Sequence, residues 1–462
     1  MKSTARYPKY KDSGIEWLGE IPAHWEVVRL KYHAQFDNSG IWGDEPETCD
    51  APIPVARTAD ISIDGRISFQ DMPMRCLSAA EMKAYKCRPG EIIVVKSSGS
   101  VSNVVTGKAA LVTQEMPTFS FSNFLLRVIP SQVVWDSRFL YAFLTSHMVR
   151  KRIELMVSGT TYPNLKVSEY RGFEVPLPNR PEQRAIANFL DRETAKIDAL
   201  VEKKERLIEL LKEKRTALIS HAVTKGLDPN VPIKDSGIEW LGQIPAHWHT
   251  GKVRMFSQQV TDGAHISPDT TSPDYPFIST VNIVGGRIDF ENCLGTTSET
   301  YAYMEQTGCR PRRGDVLFSK DGTVGRTTVV DTDAEFVVAS SLVIISPRKE
   351  TVLPRYLEYW LNGAFVQELV QLYLSGAALR RISVAKVGNL PIALPSLNEQ
   401  RTIADFIDRE TAKIDALIEK IKKAIELLKE YRTALISAAV TGKIDVRDGG
   451  EEEQSLRPKR QD

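Results

Sequence analysis

Two stretches of the chain repeat their hydrophobic residues at the heptad spacing of a coiled coil. The a positions follow one another every seven residues: Ile197, Lys204, Leu211 and Leu218, and then Ile414, Ile421, Leu428 and Leu435. The d positions stand three residues further on: Leu200 and Leu207 with Val201 and Ile208 beside them, and then Leu417, Ala424 and Tyr431. The pattern predicts two long helices. The first runs from about Arg192 to Thr224, roughly 50 Å at ~1.5 Å per residue.

The two predicted helices share their start signals and much of their sequence. Asn179 precedes Glu182, and Ser396 precedes Glu399, at the spacing of a helix-capping box. A short amphipathic turn at 186–190 leads into the first helix, and Gly226 ends it. The segment 191–200 recurs intact at 408–417. Two near-identical helices most simply pack on each other, and the repeat favours an antiparallel pair; the alternative is that each packs only on its own domain.

A second repeat, here called the frame motif, occupies residues 11–25 and recurs at 234–248. Its four tryptophans are expected to anchor the motif on the adjoining domain: Trp17, Trp25, Trp240 and Trp248. His24 and His247 are interpreted as hydrogen-bonding groups rather than metal ligands. Arg184 and Arg401, in the repeated Glu-Gln-Arg, are interpreted as structural contacts at the helix start.

Between the repeats lie two divergent segments, 27–174 and 250–391, which read as α/β mixtures. Each contains a strand signal that runs into a polar, basic loop with glycine, at 91–100 and at 315–326. Each also contains a Gly-Arg-Ile tripeptide downstream of an earlier strand signal. These shared islands predict two related domains that have diverged in their loops.

The composition excludes some classes of protein but does not identify one. The 462 residues are 42% hydrophobic and 26% charged, which is ordinary for a globular protein. No apolar run reaches the ~18 residues of a membrane span, and no signal-peptide core is present. Five scattered cysteines without a CxxC pair favour a reducing compartment and argue against a disulfide framework or a zinc site. The net charge of +1 means that any phosphate contact must come from local patches or from a partner.

Motifs of catalysis are absent from the sequence. It contains no GxxxxGK[ST] phosphate loop, no GxSxG elbow, no HExxH and no Asn-Pro-Pro-aromatic of the adenine methyltransferases. Binding without catalysis is therefore favoured.

The strand-loop islands supply the binding chemistry. Lysine and arginine neutralise phosphate, and serine, threonine and asparagine donate to phosphate or to base edges. The candidate DNA-binding residues are Lys96, Ser98, Lys108, Tyr162 and Asn164 in the first segment, and Arg312, Arg313, Lys320, Thr323, Arg326, Arg380 and Arg381 in the second. For any one of them the alternative is a solvated surface loop.

These features together resemble the specificity subunit of type I restriction–modification systems. The resemblance covers the chain to about residue 446. It is carried by the repeated proline-then-Glu-Gln helix start, the repeated segment at 194–200 and 411–417, and the residues 315–322. It implies an α+β fold in which two α/β target-recognition domains are separated by two long helices, packed as an antiparallel coiled coil with a pseudo-twofold internal repeat.

The resemblance implies a division of the chain into seven parts. They are the frame motif (1–26), the first target-recognition domain (27–174), the central long helix (175–226), the linker with the second frame motif (227–249), the second target-recognition domain (250–391), the C-terminal long helix (392–446) and a disordered tail (447–462).

The implied function is recognition of double-stranded DNA, each domain binding one half of a split asymmetric site, in the cytoplasm of a bacterium or archaeon. The subunit has no catalysis, metal or cofactor of its own. Two methyltransferase subunits would use S-adenosylmethionine, and restriction subunits would use ATP and Mg²⁺. The loop at 96–100 departs from the one at 319–323, which makes carry-over of contacts to the first domain less secure. The alternatives are a DNA methyltransferase or nuclease with diverged motifs, and a coiled-coil scaffold that binds no DNA.

Overall fold

The computed structural model describes residues 6–97, 105–157, 164–375 and 380–447. Contacts divide the chain into two compact units, one of residues 1–203 with 423–462 and the other of residues 204–422. Each unit therefore combines one divergent segment with portions of both predicted long helices. The mixture of helix and strand agrees with the predicted α+β class. The predicted tail lies outside the described residues from 448 onward.

The first unit begins with short strands, and it contains the start of the first long helix and the end of the second. Its elements are β1 (Tyr10–Asp12), β2 (Glu20–Pro22), β3 (Glu26–Arg29), β4 (Ala34–Asp37), β5 (Ile53–Ala56), β6 (Met74–Arg75), α1 (Ala79–Tyr85), β7 (Ile92–Val95), β8 (Ala109–Leu111), β9 (Ser120–Phe121), β10 (Leu125–Pro130), α2 (Ser137–Leu144), α3 (His147–Val157), α4 (Val167–Arg171), β11 (Glu174–Leu177) and the start of α5 (Arg180–Lys225).

The second unit has the same succession of elements with one addition, the two-stranded hairpin β17–β18. They are β12 (Ile233–Asp235), β13 (Gln243–Pro245), β14 (His249–Lys252), β15 (Ser257–Asp262), β16 (Tyr275–Ile278), β17 (Ile283–Val284), β18 (Arg287–Ile288), β19 (Leu294–Thr296), α6 (Ser298–Gln306), β20 (Val316–Ser319), β21 (Thr327–Val329), β22 (Val337–Val338), β23 (Leu342–Pro347), α7 (Pro354–Asn362), α8 (Ala364–Tyr373), α9 (Val384–Gly388), β24 (Pro391–Leu394) and the start of α10 (Leu397–Val440).

Both units build the same antiparallel sheet around a buried central strand. In the first unit the strand order is β4-β10-β7-β8, and in the second it is β15-β23-β20-β21. Each also has a three-stranded sheet, β6-β5-β9 or β19-β16-β22, with one parallel pair. Strands β7 and β20 are buried along their whole length, so both faces of the main sheet are covered. The two divergent segments therefore fold alike.

The long helices begin as the capping signals predict. The Glu182 amide donates to Oδ1 of Asn179 at 3.0 Å, and the Glu399 amide donates to Oγ of Ser396 at 3.3 Å. Gly226, with φ +75°, follows the last residue of α5. The predicted separate turn at 186–190 is wrong, because α5 is continuous from Arg180. Nothing in that turn breaks a helix, and its apolar residues continue the buried face.

The buried line of each long helix follows the predicted a positions but not the predicted d positions. Leu200, Leu207, Leu417 and Tyr431 are exposed, Leu207 by 42%. The residue immediately after each of these four is more buried: Ile208 and Ile418 are buried, and Val201 and Arg432 are half-buried. The buried positions along each helix are spaced four residues apart and then three. The heptad repeat is therefore kept, but its second core position lies one residue after the predicted one.

The frame motif in each unit meets the start of a long helix through its histidine. Nε2 of His24 lies 3.0 Å from Oε2 of Glu182, and Nε2 of His247 lies 2.9 Å from Oε2 of Glu399. The hydrogen-bonding interpretation of both histidines is thereby confirmed. Trp25 and Trp248 are fully buried, as predicted for anchors. Trp240 is 66% exposed, so the anchoring prediction is wrong for that residue, which extends from the turn before β13.

A fully buried glutamine fastens each divergent domain to the start of a long helix. Oε1 of Gln183 accepts from the Asp136 amide at 2.8 Å, while its Nε2 donates to the carbonyls of Val134 and Pro178. Gln400 repeats the arrangement, accepting from the Leu353 amide at 2.8 Å and donating to the carbonyls of Thr351 and Pro395. The side chain thus satisfies backbone groups from the segment before α2 or α7 and from the end of β11 or β24.

The cysteine prediction needs a correction. Cys49 and Cys76 form a disulfide, with a Cα–Cα distance of 5.8 Å. The backbones of Asp44 and Cys76 pair as an antiparallel bridge, which brings the two cysteines together from 27 residues apart in sequence. Spacing alone does not reveal such a pairing. Cys87, Cys293 and Cys309 are free.

None of the helices in the described part of the chain combines the length and apolar character that crossing a bilayer requires.

Replacing Gln400 by leucine is expected to lower the free energy of unfolding by at least about 2 kcal/mol, because each buried group left without a partner costs roughly 1–3 kcal/mol. Thermal melting of the full chain measures the change. The control is Arg401→Leu, which also introduces a leucine but at the next residue. Arg401 is exposed, so the structural contact predicted for it from the sequence is not seen, and its replacement is expected to shift the melting temperature little. Equal shifts for the two variants would contradict the role given to Gln400.

Candidate nucleic-acid interface

In the first unit the chain leaves β7 at Lys96 and is met there by the segment before α4. The Leu165 amide donates to the Lys96 carbonyl at 2.7 Å, and Ser97 pairs with Asn164 as an antiparallel bridge. On the other side of β7 lies the chain just before β8, where the Lys108 carbonyl accepts a hydrogen bond from the Val95 amide at 2.7 Å. Lys96, Lys108 and Asn164, three of the predicted residues, therefore lie around one strand end.

In the second unit the chain leaves β20 at Lys320 and meets the segment before α9. The Ile382 amide donates to the Lys320 carbonyl at 2.9 Å, and Asp321 pairs with Arg381 as an antiparallel bridge. The Ser319 amide donates to the Arg326 carbonyl at 2.8 Å. Lys320, Arg326 and Arg381 are thereby grouped around this strand end, with Arg380 and Thr323 in the same loops.

These bonds make the two sites equivalent position by position. The shared backbone pattern aligns Lys96 with Lys320 and Lys108 with Arg326. It also aligns Ser97 with Asp321, and Asn164 with Arg381. The backbone is common to the two sites, whereas most of the side chains it presents differ. Equivalent backbones with different side chains are suited to recognising two different sequences.

The two equivalent lysines are directed toward the protein. Nζ of Lys320 lies 2.6 Å from Oδ2 of Asp262, and its side chain is 12% exposed. Nζ of Lys96 donates to the Asn38 carbonyl at 2.9 Å, and burial lowers the pKa of its ammonium, with Asp37 opposing the shift. Both lysines hold the loop to the end of an edge strand of the same sheet, β4 or β15. In this structure both side chains stabilise the loop. A DNA phosphate would have to compete with their protein partners for the ammonium group.

The second pair of cations lies closer to the surface. Arg326 is exposed, and its Nη1 donates to the Ile283 carbonyl at 3.1 Å. Lys108 is half-buried, and burial together with nearby Arg150 lowers the pKa of its ammonium. Arg326 leaves several donors for phosphate, since a guanidinium carries five.

The structure does not bring Arg312 and Arg313 to this site. The Arg312 amide donates to Oδ2 of Asp315 at 2.7 Å, which places the residue in the turn before β20. Nη1 of Arg313 lies 2.7 Å from Oδ2 of Asp333. The strand of four residues separates this turn from Lys320 by roughly 13 Å.

Two other predicted residues, Ser98 and Tyr162, lie outside the described residues. Thr323 is described and exposed, and its carbonyl accepts from Oγ of Ser319 at 2.6 Å.

Sequence reasoning missed the residues that pair across the two loops. Neither Ser97 nor Asp321 was among the candidates, although Asp321 lies beside Arg381, with its Oδ1 3.7 Å from Nε. Both immediately follow the lysine that ends the strand signal. The sequence could have indicated Ser97 and Asp321 only by their position after that lysine. Which distant segment pairs with each of them is visible only in the fold.

A groove of about 1760 Å³ adjoins Arg326 in the second unit, between the β17–β18 hairpin and the long-helix portions of that unit. On its wall Arg355 lies 2.7 Å from Oε2 of Glu358 and 2.6 Å from Oδ1 of Asp408. Burial lowers the pKa of Arg355, but the two carboxylates raise it by more. Burial also raises the pKa of Glu358 to about 7, with Arg355 opposing, whereas Arg355 and Tyr359 hold the pKa of Asp408 below its usual range. Asp408 is therefore the better partner for the guanidinium.

Within the described ranges no three of the histidine, cysteine, aspartate and glutamate side chains come together as metal ligands would. The described loop sites offer charged and hydrogen-bonding groups at their surface. Two related domains with equivalent but unlike surface loops define a recognition protein with two binding domains.

Comparison with known proteins identifies the family. The family model of the type I restriction modification DNA specificity domain matches residues 78–210 and 263–427, more than half of the chain. The chain belongs to this family. It is a specificity subunit, the component that recognises DNA and carries no catalysis.

Relatives of known name agree with this family. The specificity subunit of the type I restriction enzyme EcoBI of Escherichia coli is 22% identical over 317 residues, covering 67% of this chain and 66% of that subunit. The putative MjaX specificity subunit of Methanocaldococcus jannaschii is 23% identical over 445 residues, covering 93% and 96%.

Solved structures share the fold. A chain from the study of complex assembly and conformational transition of the type I R-M system superposes with a TM-score of 0.65 at 18% identity, covering 92% of this chain and 99% of that one. The HsdS subunit of Thermoanaerobacter tengcongensis gives a TM-score of 0.52 at 18% identity, covering 92% and 98%.

The buried Glu358 makes stability depend on pH. Because its folded-state pKa of about 7 lies above the ordinary glutamate value of 4.5, the native state loses stability as the pH rises from 4.5 through 7. Glu358→Gln removes this loss. The variant is therefore expected to gain on the order of 1–3 kcal/mol over the wild type at pH 8 relative to pH 5. Thermal melting at the two pH values measures the gain.

The control for this comparison is Glu368→Gln, which removes an exposed carboxylate from α8 of the same unit. Its difference from the wild type is expected to stay constant with pH. If Glu358→Gln lost stability relative to the wild type as the pH rose, the ion pair with Arg355 would outweigh burial and the account of Glu358 would be wrong.

Proposed function

We propose that each unit recognises one half of a split, asymmetric DNA site and so directs adenine methylation and restriction by partner subunits. The observation that carries the proposal is the pair of equivalent strand-end loops. Their backbones hydrogen-bond alike, yet Ser97 and Asn164 stand where Asp321 and Arg381 stand in the other unit. A protein that bound the same bases twice would have no need of different side chains at equivalent positions.

We further propose that α5 and α10 pack as an antiparallel coiled coil with pseudo-twofold symmetry, which fixes the unread spacer between the half-sites. Contacts inside each unit support this arrangement. In the first unit Asp198 lies 2.9 Å from Nε of Arg432, and in the second Asp415 lies 3.2 Å from Nε of Arg215. The contact partners move down α10 as they move up α5, which is the register of an antiparallel pair.

The partners proposed for the assembled complex are double-stranded DNA, two methyltransferase subunits and restriction subunits. Leu207, Leu210 and Leu417 expose apolar side chains on the long helices of the second unit, and a partner helix would bury such residues. S-adenosylmethionine, ATP and Mg²⁺ are assigned to these partner subunits rather than to this chain.

A net charge of +1 supports shared DNA binding. Affinity for DNA rises with the number of phosphates that lysine and arginine neutralise. The two strand-end lysines already have protein partners, so the isolated chain is expected to bind DNA weakly and the methyltransferases to supply further phosphate contacts. The proposed location is the cytoplasm.

The proposal is tested by co-expressing the chain with the methyltransferase subunit of the same genome in a methylation-free host. Single-molecule sequencing then locates N6-methyladenine. The expected result is one split motif with a fixed spacer, with methylation on both strands. A soluble complex that leaves the DNA unmethylated would contradict the proposal and favour a scaffold. S-adenosylmethionine binding by this chain alone would favour a diverged methyltransferase.

A further inference from the structure

The bridge between the two loops singles out one solvent-facing position in each unit. Lys96 and Lys320 are held by protein partners, whereas Asn164 is exposed and the Arg381 side chain is 61% exposed. Asn164 and Arg381 stand opposite the residue after the strand-end lysine in an antiparallel bridge, and the amide and the carbonyl of Arg381 both hydrogen-bond to Ser375 at 3.0 Å. The position is therefore fixed by the backbone, while its side chain is available to a ligand.

The surroundings of Arg381 suit recognition of guanine. Oδ1 of Asp321 lies 3.7 Å from Nε of Arg381, which is an ion pair without a hydrogen bond. A carboxylate at that place orients the guanidinium and leaves its two terminal nitrogens as a parallel pair of donors. Such a pair matches the O6 and N7 acceptors of guanine in the major groove, which is the commonest base-specific contact in protein–DNA complexes.

The equivalent position in the first unit carries different chemistry on the same backbone. Asn164 has one amide donor group and one carbonyl acceptor, and it stands opposite Ser97, which is uncharged. Asparagine pairs in bidentate fashion with the N6 donor and N7 acceptor of adenine. A change from arginine with aspartate to asparagine with serine would exchange a preference for guanine for a preference for adenine.

We propose that Arg381, oriented by Asp321, recognises a guanine in one half-site, and that Asn164 recognises an adenine at the corresponding place in the other. This inference rests on the proposed function and adds the base and the residue to it. Arg381 and Asn164 are specificity-determining residues, Asp321 is a positioning residue, and Lys96 and Lys320 hold the loops in place.

The test measures binding of the full chain, assembled with its methyltransferase subunits, to duplexes that carry the methylated motif. Each guanine of the half-site assigned to the second unit is replaced in turn by 7-deazaguanine, which lacks the N7 acceptor. One replacement is expected to weaken wild-type binding by roughly 5- to 150-fold, the range of a bidentate contact. The same replacement is expected to leave binding by Arg381→Ala and Arg381→Asn complexes almost unchanged, because the guanidinium that donates to N7 has gone.

The matched control is Arg380→Asn, at the exposed neighbouring arginine. This variant is expected to keep the full sensitivity to 7-deazaguanine, even if it binds all duplexes more weakly. Asp321→Asn is expected to reduce the sensitivity without abolishing it, which distinguishes positioning from direct contact.

Three results would overturn the inference while leaving the proposed function intact. They are a half-site of the second unit without guanine, equal sensitivity of the wild type and the Arg381 variants at every guanine, and loss of sensitivity in Arg380→Asn instead. If the wild-type complex methylates no split motif at all, the proposed function itself fails. The two failures are therefore told apart before any variant is made.

Discussion

At the start of each long helix, a buried glutamine amide satisfies backbone groups from two different segments of its own unit. Gln183 and Gln400 have no exposed surface, and each makes three hydrogen bonds, so neither can move without leaving buried polar groups unpaired. The histidine of the frame motif binds the glutamate one residue earlier in both units. The orientation of a recognition domain relative to the start of its long helix depends on this constraint. Recognition of bases at a defined place on DNA depends on that orientation in turn.

The side chains at the proposed recognition surfaces can differ between the two units because the backbone hydrogen bonds beneath them do not involve those side chains. The strand-end lysine, its carbonyl contact with the following segment and the bridge beyond it are the same in both units. Exposed side chains at the bridge differ, and a change there leaves the backbone hydrogen bonds in place. Polar and charged groups on a fixed backbone can therefore be exchanged at little cost in stability, which is the condition for two domains of one fold to recognise unlike sequences.

Sequence patterns were most informative where the structure depends on local spacing. The caps at Asn179 and Ser396, the end of α5 at Gly226 and the equivalence of the two strand-loop islands all follow from short-range signals. The second core position of the long helices was misplaced because apolar residues occur at both candidate spacings, as in Leu207 beside Ile208 and Leu417 beside Ile418, and only packing decides between them. Gln183, Gln400, the disulfide and the Ser97–Asn164 and Asp321–Arg381 bridges depend on contacts between segments far apart in sequence. Composition and periodicity contain no information about those contacts.

The central claim is that the two units recognise their half-sites independently on a common scaffold. Its most direct test replaces residues 27–174 by the corresponding domain of another specificity subunit and sequences the N6-methyladenine produced by the assembled complex. The account predicts that one half-site changes to that of the donor, while the other half-site and the spacer stay as in the wild type. A change in both half-sites, or in neither when the chimeric complex is active, would contradict it.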